Sequence, residues 1–356
     1  MSNSKSSAQG LWGFPFAFSL SLLLMISFAQ ILGLQHLMRQ WDFLLLWAVL
    51  SFLLTLPMVY LEIGLAKRGK MSVMQGLMTL TRDADARPTW RLVGWAGTLF
   101  MSLLTGGLLY SFGLSLGEYL DMKLPTFMLA GIMLASVVLS LLPRAILVLL
   151  LLVGVVASAF LDYTDVAPTN IWQWTSSTGQ EWAVAVVLSL FTAGFGMSLY
   201  WQDLVAETQQ QSSSTALAMR VWLALILAGV IYAILPMNLA FGNLALSALL
   251  LQFIRIQFTG YQLNKIVVWV LSVVFMLVWL ITDVSTVLYP VLVIVGLVLC
   301  LVYSIFAGWV MKASHLRKAL NFSSEMIYNL WRVAVRIIIP VSIIIAIVFN
   351  VQGWLA

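Results

Sequence analysis

The amino-acid sequence predicts an all-α polytopic membrane protein of about eleven transmembrane helices, and three observations carry that prediction. Hydrophobic residues make up 62% and charged residues 9% of the 356 positions, with a mean hydropathy of +1.02, whereas a soluble domain carries ~25% charged residues. Apolar runs near 20 residues, the length that crosses ~30 Å of hydrocarbon as a helix, recur along the chain. The 18 Lys and Arg residues fall between those runs, and sixteen of them can be placed on one side of a membrane, as the positive-inside rule requires.

The first run, 13–34, follows a single charge at Lys5 and is too long for a signal-peptide core, so it is expected to be the first span. The others are expected at 43–65, 92–119, 126–142, 145–161, 182–201, 216–236, 240–256, 266–282, 287–311 and 333–350. The weakest, 240–256, contains Asn243, Ser247 and Gln252 and would also suit a hairpin on the surface. Charge decides between the two. With eleven spans and a cytoplasmic N-terminus, only Arg39 and Lys123 lie outside; without the eighth span the cluster from Lys312 to Arg336 would be sent to the exterior.

The connections are short, so residues 1–356 are expected to form one transmembrane domain. The longest inner loop, 66–91, opens on Lys67-Arg68-Gly69-Lys70, and the outer segment 162–180 carries Trp172 and Trp174, suited to an interfacial aromatic belt. Residues 209–215 are a polar Gln/Ser run that reads as an inner linker. The net charge of +5 sits in loops flanking spans, where it acts as a topology signal, so no nucleic-acid partner is expected. Cys300, the one cysteine, excludes an intramolecular disulfide and leaves the redox compartment undetermined.

Ionisable and irregular points within spans are expensive and mark candidate sites. Glu62, near the inner end of the second span, fits either a carboxylate snorkelling toward Lys67 or Arg68 or an anchor facing the bundle. Asp283, at the outer end of the ninth span, fits either the N-cap of the tenth helix or a gate or proton acceptor. In the sixth span, Phe191-Thr192-Ala193-Gly194-Phe195-Gly196-Met197-Ser198 places two glycines beside hydroxyl residues at mid-membrane. Such a stretch either packs closely through its small residues or breaks the helix so that carbonyls face a cavity. Gly106-Gly107 in the third span favours close packing.

The order of these features resembles the neurotransmitter:sodium symporter family, with its LeuT-type fold. Pro57 to Gly69 is similar to that family's second helix, Leu92 to Tyr110 to its third, and Leu190 to Ser198 to its unwound sixth. Lys265 to Asp283 is similar to the ninth helix and the start of the tenth, and Trp331 to Pro340 to the start of the eleventh. The resemblance implies a 5+5 inverted repeat, about 13–161 and 182–311, with an extra helix at 333–350, and a central site between broken first and sixth helices. It also implies a substrate site from Phe191, Thr192, Gly194, Gly196, Met197, Ser27 and Tyr110, with Asp283, Gln30 and Glu62 in gating or proton coupling.

The departures from that family are specific. Leu20 to Leu32 reads LSLLLMISFAQIL, with Ser27 where the family's sodium-binding Asn falls and Gln30 where its gate Arg falls, which leaves Asp283 to Arg39 or His36. Leu108 stands where the family's carboxylate-holding Tyr falls, with Tyr110 nearby, and Ser247 lies where its second-sodium hydroxyls fall. A hard cation needs several oxygen ligands, and Thr192, Ser27 and Ser247 are the weak sodium candidates. No cofactor is therefore expected, and sodium coupling is not.

The expected function is transport of a small organic solute, an amino acid or amine, by alternating access. The alternative is a pseudo-transporter retained as a scaffold or subunit for a membrane protein partner. No enzyme is expected, because no Ser/His/Asp, paired-Asp or HExxH pattern occurs and the two histidines, His36 and His315, fall on opposite sides. The expected location is a bacterial inner (plasma) membrane, multi-pass, with a cytoplasmic N-terminus.

Overall fold

Each expected span is matched by a helix in the computed structural model, which describes residues 13–32, 40–162, 172–194, 213–235, 237–261, 263–281, 284–322 and 324–355. In chain order the spans are Gly13–Ile31, Trp41–Gly69, Leu92–Tyr119, Thr126–Leu139, Arg144–Asp162, Gly179–Phe191, Ser214–Ile234, Asn243–Gly260, Lys265–Leu280, Ser285–Val310 and Glu325–Leu355. Seven of these are long and apolar enough to cross a membrane, the fourth, sixth and ninth are shorter apolar helices, and the eighth, Asn243–Gly260, falls in neither group. Among the described residues there is no strand, only one isolated bridge between Gln40 and Gln173.

The eighth span is a buried helix, not a surface hairpin. Twelve of its 18 residues are buried, on all sides, and it packs against the third, fourth, fifth and ninth spans. Its polar residues lower its hydropathy but face protein instead of lipid. Gln252 Nε2 donates to the carbonyls of Ser140 (3.1 Å) and Leu142 (2.7 Å) at the end of the fourth span. Arg255 Nη2 donates to the Ser140 carbonyl as well, and its guanidinium stacks 4.3 Å from the Trp269 ring centroid. These side chains satisfy carbonyls that a helix end leaves open.

Several close crossings rest on missing side chains. A Cβ on Gly106 would lie 2.4 Å from Trp279 Cδ1 and 2.7 Å from the Met276 carbonyl, and one on Gly107 would lie 2.9 Å from the same indole. The Gly106-Gly107 pair therefore seats the ninth span against the third, the packing reading. A Cβ on Gly229 in the seventh span would fall 2.1 Å from the ring of Trp47, which is 1% exposed. The seventh helix also packs along the first.

Three spans contain short π-helical turns, at Ser51–Thr55, Phe306–Val310 and Ala334–Ile338, where one extra residue per turn re-aims the backbone. The last two lie together, tied by the Ser304 hydroxyl donating to the Val335 carbonyl (2.5 Å) and by Arg336 Nε donating to the Gly308 carbonyl.

The expected inner loops hold more structure than their composition suggested. Val73–Asp83 is an amphipathic helix, Pro88–Arg91 a 3₁₀ turn, and Ala313–Leu320 a helix that sets Leu316 and Leu320 over Gly64 of the second span. Ion pairs join this layer: Arg68–Asp83 at 3.0 Å, Lys312–Asp85 at 2.7 Å and Arg317–Glu325 at 3.1 Å. Lys312, by its hydrogen bond first and its charge second, holds the Asp85 carboxyl below the usual carboxylate range. The eleventh span begins at Glu325, eight residues before its expected start, because its first two turns are amphipathic and not purely apolar. On the opposite side, Trp41, Trp172 and Trp174 stack together, with ring centroids 4.3 and 6.4 Å apart, as an aromatic belt residue group would.

Candidate functional site

Of the two helix breaks that the resemblance implies, the first span shows none, running as one α-helix from Gly13 to Ile31, whereas the sixth ends at Phe191. The sixth helix begins with a capping box at Thr178 and Glu181. Thr192 Oγ1 turns back to donate to the Leu188 carbonyl, and the Gly194 amide donates to the Phe191 carbonyl (2.8 Å) in a tight turn. Gly194 has φ +73°, a left-handed conformation that costs a residue with a Cβ about 1–2 kcal/mol. Gly196 and Met197 lie outside the described residues.

Three rings meet at this helix end. Phe191 is buried and lies edge-on to Phe28 of the first span (5.2 Å) and Phe100 of the third (6.4 Å). Gly296 of the tenth span makes room for them, since a Cβ there would lie 2.4 Å from Phe191 Cζ and 2.8 Å from Phe100 Cζ. Close by in sequence, Ser27 donates to the Leu23 carbonyl (2.8 Å) and accepts from Asn243 Nδ2 of the eighth span (2.9 Å). The same Asn243 amide donates to the carbonyl of Leu108 in the third span (3.3 Å). Asn243, 1% exposed, thus joins the first, third and eighth spans at one point. In the sequence Asn243 reads only as a polar weakness in a poor span; an amide side chain within a membrane helix was the signal that could have found it.

Among the described residues, several buried oxygen atoms near the first and eighth spans are open to a cation. Ser19, Ser21 and Ser247 hydroxyls and Asn243 Oδ1 are buried without a hydrogen-bond partner, and Asn243 and Ser247, four apart, share a helix face. Thr192 and Ser27 bond their own helices. Among the described residues no group of His, Cys, Asp or Glu could hold a metal ion.

Gln30 and Tyr110 belong to a separate place. Gln30 Nε2 donates to the Asn238 carbonyl, and its Oε1 accepts from Ser111 (2.9 Å). A cavity of about 210 Å³ opens there between the first, third and tenth spans, lined by Gln30, Ser111, Ser115, Glu118 and Tyr289. Tyr110 packs with Trp279 (5.7 Å) and Tyr289 (6.4 Å). The structure brings Gln30, Ser111 and Tyr289 together, and sets Tyr110 beside Trp279 instead of beside the Phe191 ring cluster.

Glu62 is 4% exposed, so its side chain is buried within the protein. Lys67 donates to the Ser214 hydroxyl (2.7 Å), and Arg68 pairs with Asp83 (3.0 Å). The expected gate residue Asp283 lies outside the described residues, as do Arg39 and His36.

No family model matches the chain, and no curated protein matches it. Among solved structures, the chain is similar to MhsT, crystallised in complex with L-phenylalanine, with a TM-score of 0.61 at 16% identity over 95% of this chain and 98% of that one. The fold is therefore that of a polytopic membrane protein of the LeuT type, with two sets of five helices and an eleventh.

Proposed function

We propose that this chain is a reduced secondary transporter, related to the neurotransmitter:sodium symporters, that moves a small organic solute, an amino acid or an amine, by alternating access. The observation that carries this reading is the end of the sixth helix at Phe191, with left-handed Gly194 next to it, set against the first and third spans within a LeuT-type fold. Open backbone at mid-membrane is tolerated only where protein or a cavity satisfies it. Phe191, Thr192 and Gly194 with Ser27 form the described part of the substrate site, and Gly196 and Met197 complete it. Gln30 and Asp283 gate it from the outer side, and Glu62 is the buried carboxylate for proton coupling. The setting is a bacterial inner membrane with the N-terminus in the cytoplasm, following the charge distribution.

A second reading has its own support. Phe28, Phe100 and Phe191 fill the space beside Gly296 with ring atoms, as a fold kept as a scaffold for a membrane protein partner would. Uptake of labelled amino acids and amines by proteoliposomes, with and without Na⁺ or a pH gradient, separates the two. Accumulation of any of them supports transport. No uptake, together with a stoichiometric co-purifying membrane protein, supports the scaffold.

A further inference from the structure

A second cavity, of about 560 Å³, lies between the third, fourth and ninth spans and the turn that joins the third to the fourth. None of its lining residues comes from the first or sixth span, so it is separate from the Phe191 site, although it adjoins the Gln30 cavity through Leu114 and Glu118. Two glycines build it. A Cβ on Gly117 would lie 2.7 Å from the Met122 carbonyl, and one on Gly113 would lie 2.3 Å from Leu129. Their absence lets the 120–125 turn fold back on the third span and draws the fourth span in against it. The turn is closed by the Met122 amide donating to the Gly117 carbonyl (2.9 Å), with Asp121 at φ +52°.

The lining has two parts. Inside, the rings of Tyr110 and Trp279 stand 5.7 Å apart, and the indole is fixed by Nε1 donating to the Leu103 carbonyl (2.9 Å). At the mouth, Glu118, Asp121 and Lys123 are exposed, which leaves one net negative charge. Aromatic faces attract cations through their quadrupole, and a rim of two carboxylates against one ammonium favours the same sign. A free carboxylate ligand would find only Lys123. The volume suits a ligand of small-molecule size.

We propose that this cavity binds an ammonium group carried on an apolar body, with the partly exposed Tyr110 ring against the cation, buried Trp279 backing that ring, and Glu118 and Asp121 neutralising the charge. The ammonium has two sources, a free organic amine or the headgroup of a zwitterionic lipid at the membrane surface. The site does not depend on transport, so it stands or falls apart from the function proposed above.

The test is calorimetric titration of the full-length protein in maltoside micelles with benzyltrimethylammonium, benzyl alcohol and phenylacetate. The cation is expected to bind about tenfold or more tightly than the other two. Glu118→Gln with Asp121→Asn should weaken it about five- to tenfold, since exposed charge pairs are individually weak, and Tyr110→Leu should weaken it while Tyr110→Phe does not. The rim pair is exposed, so folding is unaffected, and an unchanged melting temperature verifies that. Short-chain phosphatidylcholine added to the micelles assigns the source: competition with the cation points to a lipid headgroup, and no competition points to a free amine. Equal binding of benzyl alcohol or phenylacetate, or cation affinity unchanged in the rim double variant, overturns the proposal.

Discussion

Replacing Gly106 by Ala tests whether the third and ninth spans are held together by the absence of a side chain. Alanine in a helix is ordinarily favoured over glycine by ~1 kcal/mol, so a helix with free space at that position gains. At Gly106 the added methyl would lie 2.4 Å from Trp279 Cδ1 and 2.7 and 2.9 Å from the Met276 carbonyl and Cα, about 0.5 to 1 Å inside the 3.4 Å at which ordinary contact begins. Two of those three atoms are backbone, so no rotamer change relieves them. The indole is itself fixed by its bond to Leu103. Overpacking of this kind costs ~1–3 kcal/mol, more than the propensity gain, and Gly106→Ala should be a net loss of up to ~2 kcal/mol. Gly131 in the fourth span supplies the control, because a Cβ there meets nothing within 4 Å, and Gly131→Ala should be neutral or stabilising. The assay is the melting temperature of detergent-solubilised protein followed by size-exclusion chromatography after heating. Gly106→Ala should melt a few degrees lower and Gly131→Ala no lower than the parent. Equal behaviour of the two variants would refute the packing argument.

Gly194→Ala should reduce uptake without preventing expression, since the left-handed turn strains a Cβ by ~1–2 kcal/mol; full activity would remove the need for that turn. Na⁺ should raise the melting temperature no more than K⁺ at equal ionic strength, because a ligand of the folded state stabilises only in proportion to its binding; a Na⁺-specific rise would mean that Ser247 and Asn243 Oδ1 complete a cation cage. Asp283→Asn should leave uptake and its pH response intact if Asp283 caps the tenth helix, as Asn caps equally well, and should abolish the pH response if the carboxylate carries protons. The Asp85–Lys312 pair depresses a carboxyl that is ordinarily near 3.8, so its contribution is fully present above that value and fades only as pH falls below it. Asp85→Asn should therefore leave any pH response between mildly acid and neutral unchanged, and a shifted profile would contradict that assignment.

The spans were legible because lipid imposes length and apolarity on each one and the bases mark the turns between them. The eighth span shows where hydropathy stops being informative: Asn243, Gln252 and Arg255 lower its score, yet each is matched by a carbonyl or hydroxyl of another helix, and only the charge count upheld it. The helices Val73–Asp83 and Ala313–Leu320 escaped notice because two or three turns of amphipathic pattern inside a charged loop look like loop. For the site, the sixth-span break could be read from Gly194 and its hydroxyl neighbours, since glycine's freedom is a local property. The partners of Phe191 and Ser27 could not, because Phe28, Phe100, Gly296 and Asn243 come from four other helices, and no local pattern encodes their meeting. Glu62 shows the same limit: both directions for its side chain were open in the sequence, and its burial, at 4% exposed, depends on helices distant in the chain.

The fourth span has a consequence for the lipid around it. Fourteen residues make a helix of ~21 Å, well short of the ~30 Å hydrocarbon layer, and its end is closed at Ser140 and Leu142 by Gln252 and Arg255. Phe127 and Leu134 of this helix and Ile266 of the short ninth span are largely exposed, so acyl chains must meet this flank directly. Along it the two leaflets have to draw together, while the 28-residue third span holds them apart elsewhere. The protein is a wedge in thickness, and bilayers of shorter acyl chains should accept it at lower cost than thick, sterol-stiffened ones.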